Sequence, residues 1–210
     1  MKQTCLHTYS EALTYARRIR KQMKDEAYSS YAGGLKLLGM GSDKSVYMMP
    51  CGQHVLKVGG RMRGWTSREI DAWRELRQRQ HYLLEYMAPV QRWSLRYNFM
   101  VQTYCEEYHS GSVEGETFSD IEALAADYGI SDINSENLGV LDEQLVIIDW
   151  GMLDLRKLQR SLRRDAKRGS SFIRGGELGR VSSRATYGRM ISTVLTADAA
   201  AAGSLGPKPS

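Results

Sequence analysis

Ser131-Asp132-Ile133-Asn134-Ser135-Glu136-Asn137, an apolar hairpin, and then Asp149-Trp150-Gly151 form the stretch on which the fold turns. Leu138-Gly139-Val140 and Leu145-Val146-Ile147-Ile148 read as two short strands, with Leu141-Asp142-Glu143-Gln144 at their turn. Asp132 and Asn137 are five apart in the loop that enters the hairpin, and Asp149 ends its second, wholly apolar strand. Asn137 and Asp149, two oxygen donors on neighbouring strand ends, suit a hard cation such as Mg²⁺. Asp132 is left to take or orient a hydroxyl proton. By itself, the same pattern also describes an Asp/Asn-rich turn and a helix-capping aspartate.

Upstream, three strands are expected: Leu35-Lys36-Leu37-Leu38, Val46-Tyr47-Met48-Met49 and His54-Val55-Leu56-Lys57-Val58. The turn between the first two carries Gly39 and Gly41, whose lack of a Cβ lets backbone N–H groups approach phosphates, and Val46 beyond them could cover a base. The turn between the last two, Pro50-Cys51-Gly52-Gln53, is tight. Lys57 interrupts an apolar strand, and burying its ammonium requires an anion. Glu69, Trp73 and Leu76 share one face of a helix expected over 67–80. Glu69 is therefore the carboxylate that can face Lys57, although with Thr66 it also has the spacing of a capping box.

The remainder reads coarsely. An N-terminal helix is expected from Thr8 and Glu11, which have the spacing of a capping box, with Ala12, Tyr15, Ile19, Met23 and Ala27 at three- and four-residue steps. Two more strands lie after Pro89, at about 90–95 and 98–104, and helices are expected over 119–128 and 153–167. The organisation expected is an N-terminal helix over 1–30, a sheet-rich lobe over 31–105, a reduced helical lobe over 106–168, and a basic, then low-complexity, tail over 169–210.

Composition narrows the class. The chain has 210 residues, 42% hydrophobic and 25% charged, which is ordinary for a globular protein. It has no apolar run near the ~20 residues of a membrane helix, and the first twenty residues lack a signal-peptide core. Three cysteines (Cys5, Cys51, Cys105) without paired spacing argue against a disulfide scaffold or a zinc site and fit a reducing cytoplasm. The net charge is +5, but residues 156–189 hold eleven Lys and Arg against Asp165 and Glu177. That patch favours an acidic protein face or a nucleic acid, unless it is simply solvated.

Together these residues resemble the protein-kinase-like superfamily. Gly39, Gly41 and Val46 match G-x-G-x-x-G-x-V, with Lys44 where the third glycine would be, and His54-Val55-Leu56-Lys57 resembles the strand-3 lysine motif. Asp132 and Asn137 match D-x-x-x-x-N, and Asp149-Trp150-Gly151 resembles D-F-G. Residues 34–59 are also similar to the short early protein kinases encoded by bacteriophages. The resemblance implies an α+β, bilobal fold with a five-stranded antiparallel N-lobe sheet, a reduced helical C-lobe and a hinge near Thr103 to Glu106. It implies ATP and Mg²⁺ as cofactors. Lys57 would hold the phosphates, Glu69 would orient Lys57, Asn137 and Asp149 would hold the metal, and Asp132 would align the acceptor hydroxyl. The main reading is phosphoryl transfer to Ser or Thr of a protein, a host protein in the host cytoplasm if the chain is phage-encoded. Two alternatives stand beside it. One is a pseudokinase-like protein that grips a partner with the basic segment. The other is a small-molecule phosphotransferase, because antibiotic kinases often end this strand as Ile148-Asp149-Trp150 does. The chain departs from the family at Ile130-Ser131, where His-Arg would stand, and it lacks A-P-E.

Overall fold

Strand alternation sorts the central residues onto two faces of a sheet. The computed structural model describes residues 6–25, 30–41, 43–60, 64–109 and 118–167. The elements run α1 (Tyr9–Asp25), β1 (Tyr31–Ala32), β2 (Leu35–Met40), β3 (Lys44–Met48), β4 (His54–Gly59), α2 (Trp65–Gln78), β5 (Val90–Ser94), β6 (Phe99–Thr103), β7 (Glu106–Glu107), α3 (Phe118–Asp127), β8 (Leu138–Leu141), β9 (Gln144–Ile147) and α4 (Leu155–Lys167). Among these residues no helix is long and apolar enough to cross a membrane. The tail and the basic segment beyond Lys167 lie outside them.

The first sheet is antiparallel, in the order β1-β2-β3-β4-β6-β5. It has six strands where five are expected. Gly33 and Gly34 both take left-handed φ, +62° and +86°, which folds Tyr31–Ala32 back onto Leu35–Lys36 as a minimal hairpin. Leu56 and Val58 of β4, Tyr47 of β3, and Phe99 and Val101 of β6 pack with Ala12, Ala16 and Ile19 of α1. The alternate residues face the other way. Met100 and Val90 join Ile70, Trp73 and Leu76 of α2 in a second cluster, which continues through Leu138, Leu145, Ile147, Trp150, Leu158 and Leu162. One apolar core therefore ties the first sheet to the three-stranded sheet β7-β8-β9 and to α4.

Helix starts differ from expectation in detail. At α1, the Glu11 N–H donates to Thr8 Oγ1 at 3.2 Å, but the Glu11 carboxylate lies 3.2 Å from His7 Nδ1, so only half of the capping box forms. The Thr66–Glu69 box is absent. α2 begins one residue before Thr66, on Gly64 and without a side-chain cap, and Thr66 Oγ1 is buried with no partner. Glu69 is engaged elsewhere.

Candidate active site

Register brings the two lysines together. Val46 pairs with Lys57 and Lys44 pairs with Gly59, so Lys44, Val46 and Lys57 lie on the face turned to α2. From α2, Glu69 enters this face fully buried, with Trp73 and Leu76 beside it as the helical wheel requires. Lys57 Nζ stands 3.7 Å from Glu69 Oε1, donates to the Ile148 carbonyl, and lies 5.5 Å from the centroid of the Trp150 ring. The expected Lys57–Glu69 pair is thus formed, although the contact is long.

Lys44 makes the shorter contacts. Its Nζ donates to Glu69 Oε1 at 2.8 Å and to Asp149 Oδ1 at 2.5 Å. From the sequence, Lys44 stands only where the third glycine of the motif would be, because a strand starting at Val46 leaves it in the turn. The available signal was alternation: Lys44, Val46 and Met48 continue one period-two face, and β3 starts at Lys44.

The charges are strongly coupled. Burial alone would depress the Lys44 ammonium, but Glu69 and then Asp149 overcome it and raise its pKa above the ordinary lysine value. For Lys57 burial prevails over Glu69, so its pKa falls. Burial pushes Asp149 up, but Lys57 and Lys44 outweigh it and hold the carboxyl well below the usual range. Both lysines therefore face a group that is anionic at neutral pH.

The second half of the site hangs on the β8–β9 hairpin. The Asn137 carbonyl accepts from the N–H groups of Ile148 at 2.9 Å and Asp149 at 3.4 Å, fixing the two strand ends side by side. Asn137 Nδ2 donates to the Asp132 carbonyl at 2.6 Å, closing the five-residue loop. Asn134 supports the loop by accepting from the Glu136 and Asn137 N–H groups. Asp132 is exposed, has φ +66°, and its Oδ1 accepts from Asn134 Nδ2 at 3.3 Å. A non-glycine residue held in the left-handed region is strained, and such strain concentrates at functional sites. Trp150 locks the segment to α2: its N–H donates to Glu69 Oε1 at 3.2 Å, its indole Nε1–H donates to the Glu69 carbonyl at 3.1 Å, and its ring stacks on Trp73. The Gly151 N–H donates to Asp149 Oδ1 at 3.0 Å.

Gly39 stands opposite Val46 beside a β-bulge, and Gly41 donates its N–H to the Lys44 carbonyl at 2.9 Å. Neither glycine has left-handed φ. A Cβ would find open space at Gly39 and only ordinary contact at Gly41. The fold itself therefore does not demand glycine at either position.

The donor set suits a nucleotide and a hard cation. Asp149 and Asn137 offer oxygens on adjoining strand ends, two lysines offer charge for phosphates, and Glu69 Oε2 is buried with no hydrogen-bond partner. The two sheets meet at Tyr104-Cys105, within the expected hinge, and β7 directly after it pairs with β8. Burial pushes the Cys105 thiol up to about 12, so it stays protonated.

No protein-family model and no curated protein matches this chain. Among solved structures it is similar to a streptomycin–ATP–APH(2″)-IIa ternary complex, at 13% identity over 79% of this chain and 85% of that one, with a TM-score of 0.36. It is also similar to the choline kinase LicA from Streptococcus pneumoniae, at 12% identity over 91% and 92% of the two chains, with a TM-score of 0.32. Likenesses this distant carry no argument about chemistry, which rests on the geometry of the chain itself.

Proposed function

We propose that the chain is a kinase-type phosphotransferase that uses ATP and Mg²⁺ and transfers to a hydroxyl group. The observation that carries this reading is that Lys44 and Lys57 meet Glu69 on the α2 side of the sheet and that Lys44 reaches Asp149, whose strand end is fixed beside Asn137. Transfer of this type needs positioning and charge neutralisation more than covalent chemistry. Lys57, paired with Glu69, holds phosphate oxygens. Lys44 exchanges its carboxylates for phosphate, and Glu69, whose second oxygen has no partner, keeps Lys57 in place. Gly39 and Gly41 allow the β2–β3 turn to close over the phosphates. Asp149 and Asn137 would hold Mg²⁺, which when bound would neutralise charge on the phosphates. Asp132 accepts the acceptor's proton.

Acceptor size follows from the chain after Gly151. Protein kinases carry an activation loop between D-F-G and A-P-E. Here only Met152, Leu153 and Asp154 separate Gly151 from α4, and Leu153 bridges back to Ile130. That leaves no platform for an extended peptide among the described residues and favours a small hydroxylated acceptor. The protein Ser/Thr reading retains one support, the exposed basic face of α4 formed by Arg156, Lys157, Arg160, Arg163 and Arg164.

The test is ADP release and label transfer from γ-labelled ATP, against a panel of aminated and polyhydroxylated small molecules and against protein acceptors. Mg²⁺-dependent transfer is expected, with Lys57→Ala and Asp149→Asn each slowing it by ~10²-fold or more, the scale of losing one preorganised electrostatic group. Asp132→Asn should abolish transfer while leaving the Mg-ATP thermal shift nearly intact. Transfer to protein alone would move the acceptor assignment. Absence of both transfer and an ATP-induced thermal shift in the wild type would overturn the reading.

A further inference from the structure

We propose that His7, Cys51 and His54 form a zinc site on the α1 side of the sheet, separate from the lysine cluster. His7 lies two residues before α1, Cys51 sits in the β3–β4 turn, and His54 opens β4. His7 Nε2 is 3.1 Å from Cys51 Sγ, and His54 Nδ1 is 3.5 Å from the same sulfur. One ligand atom from each residue lies within 4.8 Å of the other two. Zn–S and Zn–N bonds of about 2.3 and 2.0–2.1 Å at a tetrahedral angle separate sulfur and nitrogen by about 3.6 Å. The His54–Cys51 spacing already meets that value, and the His7–Cys51 spacing falls short of it by about half an ångström.

The surroundings are those of a ligand set. His7 Nδ1 faces the Glu11 carboxylate at 3.2 Å, an acceptor that fixes the ring orientation and raises the basicity of a metal-binding histidine. His54 Nε2 lies 2.7 Å from Gln91 Nε2, a donor, so binding a metal at His54 Nδ1 requires the Gln91 amide to turn its oxygen to the ring. The Gln53 N–H points at Cys51 Sγ at 3.4 Å. Both imidazoles are buried and Cys51 is half-buried. Two imidazoles and one thiolate select zinc over Mg²⁺ or Ca²⁺ and leave a fourth position for water. The ion would pin the segment before α1 to the β3–β4 turn, and its binding would release the thiol proton to solvent. The competing arrangement is a metal-free cluster in which a single S–H is shared between two rings. Counting cysteines could not find the site, because its ligands come from three elements and include only one cysteine.

The experiment uses the full chain, stripped with a chelator and titrated with Co²⁺ as a spectroscopic stand-in. A thiolate-to-cobalt charge-transfer band should saturate at one equivalent and vanish as Zn²⁺ displaces cobalt. Cys51→Ser should lose the band, and His7→Gln should weaken Co²⁺ binding at least ~10-fold, no less than the loss of an outer-shell partner costs. Zn²⁺ at ~100 times its Kd should raise the wild-type melting midpoint by roughly 5–10 °C. A folded wild type that gives no band with excess Co²⁺, or a band that survives Cys51→Ser, would overturn the proposal in favour of the hydrogen-bonded cluster. Neither result touches the phosphotransferase reading, whose residues lie on the opposite face.

Discussion

Lys44 carries the largest consequence of any single side chain. Its ammonium bridges Glu69 and Asp149, the two carboxylates that the proposed chemistry needs for Lys57 and for the metal. Lys44→Met would leave those carboxylates facing Lys57 alone. Breaking a buried pair typically costs ~3–5 kcal/mol, and because Lys57 remains nearby the expected loss is smaller, roughly 2 kcal/mol. On the proposed reading, Mg²⁺ and Lys44 compete for Asp149. Millimolar Mg²⁺ should therefore raise the melting midpoint of Lys44→Met more than that of the wild type. Equal shifts in the two proteins would show that lysine and cation do not contest one oxygen.

Among the elements, the β8–β9 hairpin sets the site, because it holds Asn137 and Asp149 at its open end. Its closed end is a two-residue turn, Asp142-Glu143, with both residues at positive φ, +50° and +66°. That is the type I′ geometry, for which Asp-Gly is a preferred pair. Glu143 is exposed and occupies the position where glycine carries no steric penalty. Glu143→Gly should stabilise the protein by about 0.5–1 kcal/mol without altering the site. Chemical denaturation would register this as a higher midpoint at unchanged slope, and a lower midpoint would show that the Glu143 side chain has a role of its own. The opposite case is Gly129, at φ +79° after α3. A Cβ there would come within 2.9 Å of Lys157 Cβ and 3.1 Å of the Asp154 carbonyl, so glycine is required for α3 to turn into the Asp132 loop beneath α4.

At the scale of the whole molecule, a polar cluster ties three helices where the apolar core thins. His81, at the end of α2, meets Asp165 of α4 at 3.5 Å, and the Tyr128 hydroxyl after α3 donates to Asp165 at 2.7 Å and contacts the Tyr82 hydroxyl at 2.8 Å. Burial lowers the His81 pKa more than Asp165 raises it, and Arg79 adds to the lowering. The folded state therefore holds His81 neutral, while the unfolded chain protonates it near pH 6.5. Its contribution is complete above that pH and is lost as pH falls below it. His81→Asn should flatten the decline in stability between pH 7 and pH 5. Parallel stability–pH curves for the two proteins would sink the assignment.

Much of this was legible in the sequence because it rests on short-range periodicity. Alternation placed Lys57 within an apolar strand, helical spacing placed Glu69 with Trp73 and Leu76, and turn chemistry placed the hairpin that carries Asn137 and Asp149. What the sequence could not contain was strand pairing between distant residues. Register decides that Lys44 shares a face with Lys57 and reaches Asp149, 105 positions away in the chain. Packing of α1 on the sheet decides that His7 meets Cys51, 44 positions away. The two left-handed glycines that add a sixth strand depend on backbone dihedrals, which composition does not reveal. Local spacing determines which face of an element a side chain occupies, but only the folded register and the packing of faces determine which charges and ligands meet.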